Sequence, residues 1–224
     1  MKKIHYRNIG YPKTGTNWLW KQFMAHPQVD GKIDFVYKEY NTSKFEDYQK
    51  VYNNYNFTVN LDTHVFAVMN DDSHFNHPKN IHEYTTHITL SFRNPYEILN
   101  SMYNMEKNRN PNFKISAQEY ANINNPAVKM YCDTKTIFNN WNQCKISIQY
   151  LFYDDLEKDP RKYMTDLCQY IGIYPFYSEK IGVAFKTDKK EQLIFDDENL
   201  IKYINTGIST IEDYTKRNLS HWKK

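Results

Sequence analysis

The fold class is decided by one short stretch, Gly10-Tyr11-Pro12-Lys13-Thr14-Gly15-Thr16-Asn17-Trp18. It follows the β-prone segment Lys3–Tyr11 and opens the segment Thr16–Ala25, in which Leu19 and Phe23 have the spacing of one helix face. A glycine-containing turn between a strand and a helix surrounds an anion with backbone N–H groups and the helix N-terminus. The sequence therefore predicts a phosphate-binding loop directly after the first strand.

The loop differs from the usual triphosphate-binding motif. Gly10 and Gly15 have the spacing of the two glycines in G-x-x-x-x-G-K-[ST], but Thr16 stands where that motif has its lysine. Lys13 lies inside the loop instead, where it suits a group attached beyond a single 5′-phosphate. The alternative is an ordinary strand–helix turn without a ligand.

The order of strand, turn and helix repeats along the chain. Strands are predicted at Lys3–Tyr11, Ile33–Tyr37, Phe57–Met69, Thr86–Phe92 and Ile146–Tyr153. Helices are predicted at Thr16–Ala25, Ser43–Tyr55, Pro95 to about Lys107, Ala127–Trp141 and Pro160–Tyr170, with polar connections at Asn70–Glu83 and Asn108–Asn125. This order predicts an α/β fold, a central mainly parallel sheet flanked by helices, in a single domain over residues 1–224. Ligands of such sheets bind at the carboxyl ends of the strands.

A second phosphate site is predicted after the strand Thr86–Phe92. Arg93 follows that strand and is one of only five arginines among 29 basic residues. A guanidinium at a strand end can bind a phosphate with two parallel hydrogen bonds. Asn94 and Pro95 suit the N-cap and first position of a helix, on which Ser101 adds a hydroxyl. The alternative is a helix cap followed by an exposed serine.

Composition excludes several classes of protein. The chain is 17% aromatic, which argues against disorder, and its net charge of +3 without a dense basic run argues against nucleic-acid binding. No apolar run reaches ~18 residues, so no membrane span is expected. The N-terminus lacks the apolar segment of a signal peptide, and three cysteines without CxxC spacing suit a reducing, cytoplasmic location. Four histidines, His74, His77, His82 and His87, are interpreted as a polar loop rather than a metal site.

Residues 11–19 resemble the 5′-phosphosulfate loop of the sulfotransferases that use 3′-phosphoadenosine 5′-phosphosulfate (PAPS). Arg93 with Asn94-Pro95 and Ser101 resembles the family's 3′-phosphate motif. Residues 151–160, Leu-Phe-Tyr-Asp-Asp-Leu-Glu-Lys-Asp-Pro, are similar to its Y-E-D-L-x-x-D-P element. The resemblance extends from about Ile4 to Ile173 and implies the P-loop NTPase-like sulfotransferase fold.

The resemblance also implies an activity, the in-line transfer of a sulfuryl group from PAPS to a hydroxyl or amine, with adenosine 3′,5′-bisphosphate (PAP) as product. Lys13 would stabilise the leaving group, Arg93 and Ser101 would bind the 3′-phosphate, and no metal is needed. The 5′-phosphate and adenine are assigned to Thr14, Gly15, Thr16, Asn17, Trp18 and Tyr153. The segment from Arg217 to Trp222 is faintly similar to a C-terminal element that touches the 3′-phosphate, and a solvated basic tail is the alternative for it.

Two candidates for the general base remain open. His64, in Asp62-Thr63-His64, is similar to the K-T-H of the cytosolic small-molecule enzymes. Glu39, after Lys38, is similar to the base of the heparan-type and bacterial carbohydrate enzymes. The acceptor, whether a carbohydrate or another small molecule, is not specified by any motif.

Two rival functions remain. A nucleoside or nucleotide kinase shares the strand–loop–helix arrangement but needs the lysine that Thr16 replaces and a carboxylate for Mg²⁺. A non-catalytic nucleotide-binding protein on the same fold would not need Lys13.

Overall fold

The computed structural model describes residues 3–11, 13–29, 56–62, 77–182 and 191–224. The strands are β1 Ile4–Gly10, β2 Phe57–Asp62, β3 His87–Phe92 and β4 Ile148–Phe152. The α-helices are α1 Thr16–Ala25, α2 Pro95–Arg109, α3 Ala117–Tyr120, α4 Pro126–Cys132, α5 Thr134–Trp141, α6 Tyr153–Lys158, α7 Pro160–Ile171 and α8 Glu198–Thr215, with short 3₁₀ helices at Ile81–Glu83 and Ser220–Trp222. The elements predicted at Ile33–Tyr37 and Ser43–Tyr55 lie outside the described residues.

The four described strands form one parallel sheet in the order β2-β1-β3-β4. β1 is internal, and its residue Gly10 pairs in register with Ser91 of β3. The predicted α/β class and parallel sheet are therefore confirmed, and β1 and β3 end at the same edge.

The chain divides into two compact units. The first contains Met1–Phe92 and Asn142–Ala184, and the second contains Arg93–Trp141 and Phe185–Lys224. The sheet, α1, α6 and α7 belong to the first unit, whereas the described part of the second unit is helical. The single domain over residues 1–224 stays a prediction.

The core of the first unit lies where α1 and α7 cover the sheet. Leu19 and Phe23 are buried, as their spacing predicts, and the Phe23 ring packs 5.2 Å from that of Tyr6 on β1. α7 contributes a second apolar stripe, formed by Tyr163, Met164, Leu167, Cys168 and Ile171. Burial of these stripes fixes α1, and with it the turn that precedes α1.

Side chains of α1 and of its C-cap residue, His26, also bind the backbone of the chain that follows α7. The buried amide of Gln22 donates to the Ser178 carbonyl at 3.1 Å and accepts from the Ser178 N–H at 2.9 Å. One turn on, the Nε2–H of His26 donates to the Tyr174 carbonyl at 2.9 Å, while its Nδ1 accepts from the Gln28 N–H at 3.1 Å. These bonds require His26 to be neutral, because both ring nitrogens are assigned.

The second unit differs from the prediction in three places. The helix predicted at Ala127–Trp141 is broken at Asp133, whose carboxylate accepts from the Thr136 N–H and so starts α5 anew. The predicted polar connection Asn108–Asn125 contains α3, held by a reciprocal Ser116–Glu119 capping box. No helix is predicted after Ile173, yet α8 has 18 residues.

No helix in the described ranges combines the length and the apolar character that crossing a membrane requires.

Two glycines in the left-handed region of φ mark helix ends of the first unit. Gly15, before α1, has a φ of 88°, and Gly172, after α7, has a φ of 82°. A Cβ at Gly15 would lie 2.7 Å from Leu156 Cδ2, whereas a Cβ at Gly172 would meet nothing within 4 Å.

The pair predicts unequal costs for the same substitution. Gly172→Ala should lower the free energy of unfolding by about 1–2 kcal/mol, the usual cost of a left-handed residue with a side chain. Gly15→Ala should lower it further, because Leu156 must also move. Urea unfolding of both variants measures the difference, and equal losses would show that the Leu156 contact carries no cost.

The pH dependence of stability tests the His26 contacts. Burial lowers the pKa of His26, despite the opposing hydrogen bond to Tyr174. The folded state thus disfavours the proton that the unfolded chain binds below about pH 6.5, so this stabilisation is present above that pH and is lost as the pH falls.

His26→Asn should remove this part of the pH dependence, because an amide donates and accepts without titrating. Thermal midpoints of wild type and variant should therefore converge on moving from pH 7 to pH 5. His221→Asn, at an exposed position, is the control. A constant difference between wild type and His26→Asn across this range would show that His26 does not titrate with unfolding.

Candidate active site

The candidate loop starts where β1 is packed tightly against β3. A Cβ at Gly10 would lie 2.9 Å from Ser91 Cβ and 3.2 Å from Thr14 Oγ1. Only glycine fits there without displacing its neighbours. Ser91 was not predicted to matter, because its pairing with Gly10 requires knowledge of the sheet register.

Lys13 is held in an unusual backbone conformation. Its φ is 72°, in the left-handed region that favours glycine, and its side chain is half-buried. Such strain is typical of functional sites, where the surrounding structure enforces the conformation. Lys216, at the end of α8, has a similar φ of 58°, so it is the place of Lys13 between β1 and α1 that makes it a candidate site residue.

Thr14 acts within the loop. Its side chain is 3% exposed, and its hydroxyl donates to the Tyr11 carbonyl at 2.7 Å. This hydroxyl therefore stabilises the turn by a hydrogen bond across it. The part of Thr14 that suits the predicted 5′-phosphate contact is its backbone N–H.

The first turn of α1 offers donors to an anion. Gly15 provides no side-chain cap, and among the described residues the first turn contains no acidic side chain. Thr16 is buried at the first helical position, and Asn17 is exposed at the second. The unsatisfied N–H groups and the positive end of the helix dipole favour negative charge here.

The two predicted adenine contacts lie in different surroundings. Trp18 is 5% exposed in the core, with its Nε1–H donating to the Ile181 carbonyl at 3.3 Å and its ring against those of Tyr163 and Tyr177. Tyr153 follows β4, and its ring atoms lie 3.4 Å from where a Cβ at Gly15 would stand. Tyr153 thus borders the loop, as does Leu156, which the sequence did not indicate.

The predicted 3′-phosphate residues lie on the second unit. Asn94 caps α2 by accepting from the Tyr96 N–H at 3.0 Å, with Pro95 at the first position, as predicted. The Nε–H of Arg93 donates to Glu97 Oε2 at 2.9 Å, which orients the guanidinium. Ser101 is half-buried on the second turn.

Arg217 lies in a packed segment. It is half-buried in the chain between α8 and the final 3₁₀ helix, and Leu219 and Trp222, which follow it in the sequence, are both buried. The Leu219 N–H donates to Glu212 Oε1 at 2.7 Å. Leu219 and Trp222 are therefore packed while the charged residues around them stay accessible, and both readings of Arg217, a ligand contact and a solvated basic residue, stay predictions.

His64 and Glu39, the candidate bases, lie outside the described residues, as does His74. His77 is buried, and His82 Nε2 lies 3.2 Å from Lys145 Nζ. Within the described part of the chain, no three histidine, cysteine or acidic side chains are grouped as a metal site requires.

Comparisons with known proteins agree with this fold. The family model for the sulfotransferase domain matches residues 8–193. A sulfotransferase from Alicyclobacillus acidocaldarius is 11% identical, with full coverage of both chains and a TM-score of 0.63. Mouse sulfotransferase SULT7A1 complexed with PAP is 17% identical over 99% of this chain and 87% of its own, with a TM-score of 0.51.

The sulfotransferase domain from the curacin biosynthetic pathway is 11% identical, covering 98% of this chain and 99% of its own, with a TM-score of 0.55. No curated protein sequence matches the chain. At such identities the structures show the fold, the P-loop NTPase-like arrangement, and the family match covers most of the chain. The chain therefore belongs to the sulfotransferase family.

Proposed function

We propose that this sulfotransferase transfers the sulfuryl group of PAPS to a hydroxyl or amine of a small-molecule or carbohydrate acceptor in the cytoplasm. The observation that carries the proposal is Lys13, held at a positive φ between β1 and α1. The family assignment and the mouse relative complexed with PAP support the choice of donor. The three free cysteines suit a reducing compartment.

The loop fits a 5′-phosphate by its shape and its donors. Gly15 allows the loop to pass directly against Leu156 and Tyr153, where a Cβ would lie only 2.7 Å from Leu156 Cδ2. Thr14 through its N–H, and Thr16 and Asn17 at the start of α1, present donors without a competing acidic side chain among the described residues. An anion there gains from the helix dipole.

Arg93 and Ser101 fit the 3′-phosphate. Glu97 accepts a hydrogen bond from the Nε–H of Arg93. This contact fixes the direction in which the other guanidinium N–H groups point. Ser101 adds a neutral donor on the same helix. Trp18, in the first turn of α1, is buried in the core. The remaining residues proposed to contact the nucleotide are Trp18 itself, Tyr153 and Arg217.

Sulfuryl transfer requires positive charge near the 5′-phosphate oxygen from which the sulfuryl group departs. PAPS supplies a sulfuryl group whose departure leaves negative charge on a 5′-phosphate oxygen. The Lys13 ammonium would stabilise that charge more in the transition state than in the ground state. His64 or Glu39 would accept the acceptor's proton.

The kinase alternative has less support. Thr16, at the position of the missing lysine, is buried at the start of α1 and cannot provide its charge. A non-catalytic binding protein on this fold would use Lys13 only to bind phosphate, so turnover with PAPS distinguishes it from the proposed enzyme.

Replacement of Lys13 tests the leaving-group role. Lys13→Met should lower kcat about 10²- to 10³-fold, as the loss of one preorganised charge at a transition state does. The dissociation constant for PAP should rise much less. Lys21→Met, on the exposed side of α1, is the matched control and should leave both unchanged. Equal losses in binding and turnover would contradict the assigned role.

Replacement of Arg93 tests the 3′-phosphate site. Wild type should prefer PAP over AMP by roughly 30- to 700-fold, from a charge-assisted paired contact and one hydroxyl. Arg93→Ala should remove most of this preference and leave AMP affinity almost unchanged. Arg93→Lys should restore part of it, because an ammonium cannot make the paired geometry.

Calorimetric titration of both nucleotides measures these preferences. Arg161→Ala, which removes an exposed arginine paired with Glu179, is the control for lost positive charge. If Arg93→Ala weakens PAP and AMP alike, Arg93 serves the fold and the 3′-phosphate assignment is wrong.

A further inference from the structure

A row of buried polar side chains crosses the sheet behind the loop. We call it the polar row, and it consists of Tyr6 and Asn8 on β1, Thr89 and Ser91 on β3, and Tyr163 on α7. Asn8 and Thr89 have no exposed surface, and Ser91 is 2% exposed. Strands of a parallel sheet covered by helices are normally apolar, so this row departs from the rule.

The row is connected by hydrogen bonds at short distances. Asn8 Nδ2 donates to Thr89 Oγ1 at 2.8 Å and to Ser91 Oγ at 2.7 Å. Thr89 Oγ1 also lies 2.7 Å from the Tyr6 hydroxyl, and the Ser91 side chain hydrogen-bonds Tyr163. Both N–H groups of the Asn8 amide are therefore used to join β1 to β3.

The side-chain oxygen of Asn8 lowers the stability of the folded state, even though its amide nitrogen makes two hydrogen bonds. Its Oδ1 is buried and accepts no hydrogen bond from the described residues. A buried acceptor left in this way destabilises the folded state, and an apolar residue of similar size would avoid the penalty. The two hydrogen bonds of its Nδ2 offset this penalty in part, and their common effect is to hold Thr89 and Ser91 of β3 against β1.

The row ends at the loop. Ser91 is level with Gly10, and its Cβ and carbonyl oxygen lie 2.9 Å and 3.2 Å from where a Cβ at Gly10 would stand. The same point is 3.2 Å from Thr14 Oγ1, which is bonded to the Tyr11 carbonyl. Ser91 and Thr14 therefore flank the same side of Gly10, and a shift of Ser91 would reach the start of the turn through its strand pairing with Gly10.

Burial keeps the ends of the row neutral. Desolvation raises the pKa of the Tyr6 hydroxyl well above its usual value and also raises that of Tyr163. Both phenols therefore remain protonated over the physiological range and can donate hydrogen bonds within the row.

We propose that Asn8 and Ser91 are positioning residues for the 5′-phosphate loop, with the Asn8 amide fixing Ser91 so that Ser91 sets the place of Gly10 and Thr14. The inference rests on the proposed function, because it assigns a ligand group to this loop. It adds two residues from within strands to a site otherwise formed by residues of loops and helices.

The test compares two nucleotides that differ at the 5′ end. PAP has both phosphates, and 3′-AMP lacks the 5′-phosphate that the loop would bind. Ser91→Ala deletes the hydroxyl but keeps the Cβ beside Gly10. It should reduce the preference for PAP over 3′-AMP about fivefold to tenfold, the effect of weakened hydrogen bonds to one charged group, and leave 3′-AMP affinity unchanged.

Tyr6→Phe is the matched control. It deletes one hydroxyl at the far end of the row and should lower stability without changing the nucleotide preference. Asn8→Ala removes the donor of the Asn8–Ser91 hydrogen bond instead of its acceptor, and it repeats the test if Ser91→Ala does not fold. The effects of Asn8→Ala and Ser91→Ala should be non-additive, because both variants break the same bond. Calorimetry gives the affinities, and urea unfolding gives the stability of each variant.

The outcomes separate the inference from the function on which it rests. Wild type that binds PAP and 3′-AMP equally would overturn the 5′-phosphate assignment, and the positioning role with it. Wild type that prefers PAP, with Ser91→Ala and Asn8→Ala keeping that whole preference, would overturn the positioning role alone. An equal loss of preference in Tyr6→Phe would likewise show a general effect of stability.

Discussion

The close approach of β1 and β3 at Gly10 and Ser91 is the constraint on which the candidate site depends. A Cβ at Gly10 would be too close to Ser91 and Thr14, so only glycine fits at this position. The turn of the loop begins directly after it. Thr14 closes this turn by donating a hydrogen bond to the Tyr11 carbonyl. Gly15 then adopts a left-handed backbone conformation directly before α1 begins. Leu19 and Phe23 anchor α1 on the sheet, so the loop is fixed from both sides.

Several features near this loop cost stability. Lys13 adopts a conformation that favours glycine, Asn8 leaves a buried oxygen without an acceptor bond from the described residues, and the first turn of α1 has no side-chain cap. Departures from local rules concentrate at functional sites because selection there favours geometry over stability. They lie within the stretch from Asn8 to the first turn of α1, which is consistent with an anion site after β1.

Much of the fold could be predicted because its signals are local. α1 has its predicted bounds, since a glycine turn precedes it and His26-Pro27 ends it, and Asn94-Pro95 marks the start of α2. α8 also carries a local signal, buried residues at Leu200, Ile204, Ile208 and Ile211, although no helix was assigned there.

The supports of the loop could not be predicted in the same way. Ser91 meets Gly10 only through the register of β1 with β3, and Leu156 meets Gly15 only after α6 has folded beside the loop. Neither contact leaves a mark in the spacing of residues. The break between α4 and α5 depends on whether Asp133 bonds forward to Thr136 or stays within a continuous helix, which periodicity does not decide.

The most direct test of the central claim is the identity of the donor. The chain is incubated with a panel of hydroxyl and amine acceptors and either PAPS or ATP, and the released nucleotide is identified by chromatography. We expect PAP to accumulate from PAPS in the presence of an acceptor, with no ADP formed from ATP. Acceptor-dependent ADP without PAP would contradict the account and make the chain a kinase on a sulfotransferase fold.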